Sequence, residues 1–315
     1  MSRTALRNSF QMESHTLTGA KSSLINSVLR RIFVGQDGIR AGWSALLFVI
    51  IYLILNGIET ATLGHFVNLE GRGPLTPSLA FVQESFDLLV IAVATWVMAR
   101  IEHRHVFSYG LTGTYRVLRL ASGLACGILC LSILVGILWK LHLLVFDGVS
   151  LGGLTAWKYG LAWAGVFLLV GVFEESLLRG YLQYRLAHGI GFWWAAVLLS
   201  TAFAVWHISN GGESPLGLVV VGLGGLVFCL SLWYTKSLWW AVGFHSGWDW
   251  GQSYLYGTPD SGLLAKGHLL SSHPSGNSLW NGGTTGPEGS CLIVPMLIAM
   301  ALVMWLWWGR TPASS

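Results

Sequence analysis

Hydrophobic residues run along this chain in long unbroken blocks. They neither alternate as in a strand nor keep to one helical stripe. A membrane-spanning helix needs about 20 mostly apolar residues. Eight stretches meet that length: 43–62, 79–99, 118–145, 157–186, 191–208, 215–234, 237–256 and 290–309. The pattern predicts an all-α polytopic membrane protein of about eight transmembrane helices, with any site inside the helical bundle. The second stretch carries Glu84 and Asp87, and the fourth is long, with a second half polar enough to leave the bilayer. The fourth and fifth form a hairpin turning near Gly189–Gly191. The Gly/Ser/Pro-rich stretch 257–289 reads as one long loop. Residues 1–42 form a polar basic tail, 43–309 the helical domain and 310–315 a C-terminal tail, with no internal repeat and no separate soluble domain.

Composition agrees with the pattern. Only 10% of residues are charged, against about 25% in a soluble domain. The net charge of +4 is small and makes no case for nucleic acid. Its placement says more. With the N-terminus in the cytoplasm, 14 Lys/Arg fall inside and four outside (Arg72, Lys140, Lys158 and Lys266). Cytoplasmic loops carry the excess of Lys and Arg, so both termini are expected in the cytoplasm, in the plasma membrane of a prokaryote. The first 40 residues lack the apolar core of a cleaved signal peptide, and the span near Trp43 reads as an uncleaved anchor. Cys126, Cys130, Cys229 and Cys291 all lie in apolar stretches and read as small buried hydrophobes.

Ionisable side chains within such stretches are costly, at least ~2.5–3.5 kcal/mol each near mid-membrane. Three groups stand out in the second half: Glu174/Glu175/Arg179, Phe203/His207 and His245/Asp249. Glu175 and Arg179 have the i, i+4 order that favours an ion pair. Glu174 is turned about 100° away and is left to face something else. Across the hairpin, Glu174 lies 16 residues before Ile190 and His207 lies 17 after it, so the two share a depth and are expected to meet. Phe203 is one turn from His207, and His245 and Asp249 share a helix face. Such a cluster could hold Zn²⁺ or another divalent metal through Glu174, His207 and His245. Glu174 and His207 could equally activate water as general bases without metal. Arg179 and Arg185 read as basic residues of a hairpin end that protrudes into the cytoplasm. Glu213, Asp260 and Glu288, with the loop and tail histidines, are expected to be solvated. Glu84 and Asp87 could line the cavity, but nothing in the sequence assigns them a role.

These residues, in this order, resemble the CAAX protease and bacteriocin-processing (Abi-like) family of intramembrane endopeptidases. Its Glu-Glu-x-x-x-Arg, Phe-x-x-x-His and His-x-x-x-Asn/Asp motifs stand here as "EESLLR" (174–179), "FAVWH" (203–207) and "HSGWD" (245–249). The continuation "WDWGQSYLYGTPDSG" is similar as well, and the resemblance covers roughly 155–262. It implies that Glu174 and His207 activate water and that Glu175 and Arg179 hold the geometry, with Phe203 in support. His245 and Asp249 would position the site or stabilise the oxyanion. Many members carry Asn where this chain has Asp249. An ionised Asp cannot donate a hydrogen bond, which favours orienting His245 or assisting a metal. The implied function is an intramembrane endopeptidase, metal-dependent or glutamate-type, acting on a membrane-tethered, prenylated or leader peptide, with the bilayer as its other partner. The alternative is a non-catalytic membrane immunity or scaffold protein of the same family. A proton-coupled transporter would also use intramembrane Glu and His, but no matched pair of broken helices supports it.

Overall fold

In the computed structural model, residues 32–35, 38–66 and 75–310 are described. Most of the 1–42 tail and all of 311–315 lie outside them. A short hairpin, β1 (Val34–Gly35) with β2 (Gly38–Ile39), leads into helix α1, Ala41–Phe66. Then come α2 (Pro77–Ile101), α3 (Arg116–Lys140) and strand β3 (Leu144–Val149). Helix α4 (Gly153–Glu175) continues through a π-helical segment, Ser176–Leu182, into α5 (Gln183–Ile190). Gly191, at φ 87°, turns the chain into α6 (Phe192–Trp206). The expected hairpin turn is therefore present. Helices α7 (Pro215–Thr235) and α8 (Trp239–Asp249) follow, the latter extended by a π-helical segment to Leu255. After strand β4 (Leu270–Pro274) and a short turn of helix, α9 (Ile293–Trp308) closes the described chain.

Six helical stretches are long and apolar enough to cross a membrane: Ala41–Gly64, Pro77–Ile101, Arg116–Lys140, Gly153–Ile190, Phe192–Ser209 and Pro215–Thr235. They match the first six predicted spans. The seventh and eighth are also helical but shorter, α8 with its extension and α9. Helix α8 is almost wholly buried among its neighbours, so lipid contact does not demand a full span of apolar residues.

Close backbone contact explains how α8 is held. Gly123 and Gly127 on α3 face Gly243 and Gly247 on α8, and a Cβ at any of the four would collide with backbone of the facing helix. Small residues four apart let membrane helices approach this closely. The contact also sets the aim of α8. His245 and Asp249 each follow one of its glycines by two residues, about 200° around a helix. Clamping the glycine face to α3 therefore turns both polar side chains towards the interior.

The stretch 257–289 is not a plain loop. Strand β4 pairs antiparallel with β3, Leu75 pairs with Ala265, and Thr284 and Thr285 donate to the Gly212 carbonyl. Thr258, Asn281, Thr285 and Glu288 are buried within it. The segment forms a folded cover over one end of the bundle. All four cysteines are unpaired thiols; Cys229 is fully buried and the other three are half-buried.

Candidate active site

Helices α2, α4, α6, α7 and α8, with the 257–289 cover, enclose a cavity of about 420 Å³. Glu174, His207, His245, Asp249 and Phe203 all line it. The residues singled out from sequence thus converge on one space, although they come from three helices.

Local structure accounts for each side chain. Glu174 and Glu175 end α4 where the π-helical segment begins, and Gly180 within that segment leaves helical geometry at ψ −112°. Such π-bulges often mark functional sites because they re-aim neighbouring side chains. Glu175 is fully buried and pairs with Arg179 at 3.1 Å, as expected. The Arg179 guanidinium also lies over the Phe203 ring (4.7 Å) and the Phe228 ring (5.7 Å). A Cβ at Gly225 would strike it, so the glycine makes room for the arginine. Phe203 is thereby a platform for Arg179 as well as an edge contact for His207 at 4.5 Å.

The partner of Glu174 differs from expectation. Its Oε2 lies 3.5 Å from His245 Nε2 rather than against His207, and no ion pair joins Glu174 to His207 among the described residues. Equal depth fixes height but not azimuth, and His207 ends α6 by starting a 3₁₀ turn. His207 Nδ1 sits 3.0 Å from the Phe203 carbonyl. A carbonyl only accepts, so Nδ1 is the donor in this contact, and in the neutral ring Nε2 is the acceptor. His245 is the hub. Its Nδ1 meets Glu175 Oε1 at 3.2 Å, and its Nε2 meets Glu174 at 3.5 Å and Asp249 at 3.6 Å. Phe228 stacks on the ring at 5.5 Å. Both glutamates of the pair therefore touch one imidazole, which sequence spacing alone did not indicate.

Four acids complete the wall: Glu84 and Asp87 from α2, and Asp260 and Glu288 from the cover. The expectation that Asp260 and Glu288 are solvated is overturned, because the cover folds inward. Glu288 is 8% exposed and accepts from the backbone N–H and hydroxyl of Ser261, and Ser253 donates to Asp260. Burial, then the charges of Asp249 and Glu288, push the Asp260 carboxyl well above its usual range. Glu213 is half-buried too, held by the Ser214 N–H. The protruding basic hairpin end is likewise corrected. Arg179 is 1% exposed and Arg185 8% exposed, the latter pairing with Glu102 at 3.1 Å.

Glu174, His207 and His245 supply donors of the kind that bind Zn²⁺. Among the described residues, however, no three His, Cys, Asp or Glu side chains are gathered closely enough to hold a metal ion.

Residues 155–251 match the family model of the type II CAAX prenyl endopeptidase Rce1-like proteins. Over this segment the chain is similar to the CAAX protease family. All three motifs fall within the match, which covers the π-broken α4, the α5–α6 hairpin and the glycine-clamped α8. Glu84, Asp87, Asp260 and Glu288 fall outside it. No curated protein matches the chain. With six helices long and apolar enough to cross a membrane and a membrane-protease family segment, the chain is an integral, multi-pass membrane protein.

Proposed function

We propose that this protein is an intramembrane endopeptidase that hydrolyses a membrane-tethered peptide with Glu174 as general base. The observation that carries the reading is Glu174 Oε2. It is buried at the cavity wall, beside His245, with no hydrogen-bond donor among the described residues. A buried acceptor without a donor costs about 1–3 kcal/mol. A water or substrate group entering the cavity would supply the missing donor.

In the proposed reaction, a water in the cavity gives one proton to Glu174 while its oxygen attacks the peptide carbonyl. His207 Nε2 accepts a hydrogen bond from the water's other O–H, which stays bonded to the oxygen, and orients the nucleophile. The tetrahedral oxyanion faces His245 Nε2, which Glu175 from one side and Asp249 from the other hold in place. Collapse breaks the C–N bond, and Glu174 returns its proton to the leaving amine. Asp249 flanks the His245 ring at 3.6 Å as an electrostatic partner rather than as an oxyanion donor. Positioned acid–base groups of this kind contribute about 10²–10⁴-fold. The basic ends of the helices support a cytoplasmic location for both termini, and the family segment supports a peptide substrate.

The test is cleavage of a quenched fluorescent, lipid-anchored peptide by the purified chain in nanodiscs. Wild type is expected to cleave, and Glu174→Gln to fold equally well and not cleave. A Glu174→Gln protein that cleaves at the wild-type rate would overturn the assignment. A wild type that binds the peptide without cutting it would favour the non-catalytic immunity or scaffold reading.

A further inference from the structure

The cover joins α8 at a part of the cavity wall that the proposed reaction leaves unused. Three residues spaced four apart, His245, Asp249 and Ser253, run along α8 and its π-helical extension, and all three line the cavity. Positions four apart keep to one side of a helix. The first two already have a place in the proposed reaction. The third is buried, and its hydroxyl donates to Asp260 Oδ2 at 3.0 Å. Asp260 belongs to the cover and lines the same cavity.

The setting of Asp260 is tightly built. Thr258 donates its N–H and its hydroxyl to the Gln252 carbonyl, at 3.1 and 3.0 Å. Gln252 Nε2 donates to the Pro259 carbonyl at 2.7 Å. Successive residues of the cover thus bond to successive residues of the α8 extension. On the far side, Asp260 and Leu263 exchange N–H to carbonyl bonds of 2.8 Å and close a tight turn. Ser261 within that turn has φ 44°, a left-handed conformation for a residue with a side chain. Glu288 accepts both its N–H and its hydroxyl. Gly262 packs so closely on the Gly212 backbone that neither has room for a Cβ. Strained backbone persists only where its surroundings over-determine it, and it gathers at functional sites. The Thr258, Gln252 and Pro259 bonds already attach the cover. What the strained turn adds is the aim of the Asp260 side chain.

The electrostatics fit a bracing role. Burial, then the charges of Asp249 and Glu288, hold the Asp260 carboxyl protonated above its ordinary range, and His245 acts on it in the opposite sense. A protonated carboxyl has an O–H to donate as well as oxygens that accept. It can take the Ser253 hydroxyl and still offer a proton donor to the acids beside it. We infer that Asp260 is a positioning residue of the proposed hydrolysis: fixed by its turn and by Ser253, it braces Asp249 and, through Asp249, the His245 ring that faces the oxyanion. The inference rests on the proteolytic reading for the reaction, while the bracing of His245 is measured without catalysis. Asp260 and Glu288 lie outside the family-matched segment, so the brace comes from the cover rather than from that segment.

Cleavage kinetics on a quenched lipid-anchored peptide, melting temperature and the NMR shifts of the His245 ring nitrogens are measured on three proteins in nanodiscs: wild type, Asp260→Ala and Asp260→Asn. The His245 signals are assigned by their loss in His245→Gln. Asp260→Ala is expected to lower kcat roughly ten- to a hundredfold, the scale of a misplaced group. Its KM and melting temperature should stay close to wild type, and its His245 signals should move. Asn offers the acceptor and the donor of a protonated Asp. Asp260→Asn is therefore expected to return both kcat and the His245 signals close to wild type. A wild-type kcat or unmoved His245 signals in Asp260→Ala would overturn the inference. So would an Asp260→Asn protein as slow as Asp260→Ala, which would make the carboxyl a proton carrier. A fall in kcat matched by a fall in melting temperature would overturn it as well, leaving Asp260 a tether. If no protein cuts the peptide but the His245 signals respond as described, the proteolytic reading fails and the brace stands.

Discussion

Two buried carboxylate clusters in this protein face opposite demands. At the basic end, Glu102 accepts hydroxyls from Tyr181 at 2.5 Å and Tyr109 at 3.1 Å and pairs with Arg185 at 3.1 Å. Arg185 in turn donates to the Ile39 carbonyl and to Ser44. Both oxygens of Glu102 have donors, and the aromatic rings of Phe48, Tyr109 and Tyr181 pack around them. In the cavity, Glu174 Oε2 has no hydrogen-bond donor among the described residues, and Asp249 depends on the same imidazole that already serves Glu174 and Glu175. A satisfied network rigidifies a fold, whereas an under-satisfied one is costly unless something else completes it. The first cluster ties the 39–44 turn, the 102–109 turn and α5 together. The second leaves acceptors for a ligand. Buried charge by itself does not mark a site; unspent hydrogen-bonding capacity against a cavity does.

The sharpest way to break that contrast is at Glu174. Glu174→Gln is expected to lower cleavage about a thousandfold, within the range for a positioned base, while leaving thermal stability within a few degrees of wild type. Activity assays beside melting curves in the same nanodiscs check both halves. A large loss of stability would make Glu174 a structural residue like Glu102.

Glu175 sits between the two classes, being fully buried and paired like Glu102 yet in contact with His245. Removing one member of a buried ion pair costs about 3–5 kcal/mol. Glu175→Gln and Arg179→Ala are each expected to lose stability on that scale. Glu175→Gln with Arg179→Met should regain part of it, because neither charge is then left alone. Denaturation of the three variants in one detergent decides the point, and a stable but inactive Glu175→Gln would reverse the roles of the two glutamates.

At the basic end the expected effects are smaller and confined to stability. Hydrogen bonds to charged groups are worth about 1.5–3 kcal/mol. Glu102→Gln is expected to lose stability within that range and keep its cleavage rate. If cleavage falls in proportion, the two clusters are coupled through α5 and the distinction drawn here weakens.

The smallest effect lies at Glu213, outside the spans at the cavity end. Burial, then the charge of Glu288, raises its carboxyl from about 4.5 to about 7. The folded chain therefore holds this proton more tightly than the unfolded chain does. Its stabilising contribution is complete below about pH 4.5 and is lost as the pH rises through about 7. Glu213→Gln is expected to reduce the fall in melting temperature between these two values by a few degrees. An unchanged fall would remove Glu213 from the account.

Much of this was legible from residue order. The first six spans, the turn at Gly191, the Glu175–Arg179 pair and the shared face of His245 and Asp249 all follow from run length and helical period. Gly123/Gly127 and Gly243/Gly247 stand four apart in the sequence, but only the structure gives them a role by setting α3 against α8. The misses share another character. Spacing puts Glu174 and His207 at one depth, and both line the cavity, but the ion-pair partner of Glu174 is His245. The sequence reads Arg185 as a protruding cation, and it is buried against Glu102. It reads Asp260, Glu288 and Glu213 as solvated, and Asp260 and Glu288 line the cavity while Glu213 is half-buried.

The sequence by itself determined the local quantities: which segments are helical, which residues share a face, and which charges stand i, i+4. These depend on the backbone's 3.6-residue turn and on the transfer of apolar side chains out of water. Only the tertiary structure decided which carboxylate faces which histidine, and that a polar stretch folds back as a roof. Those outcomes depend on how far each helix is rotated about its axis. That rotation is set by contacts between residues far apart in the chain, such as Gly127 against Phe244 or Thr285 against Gly212.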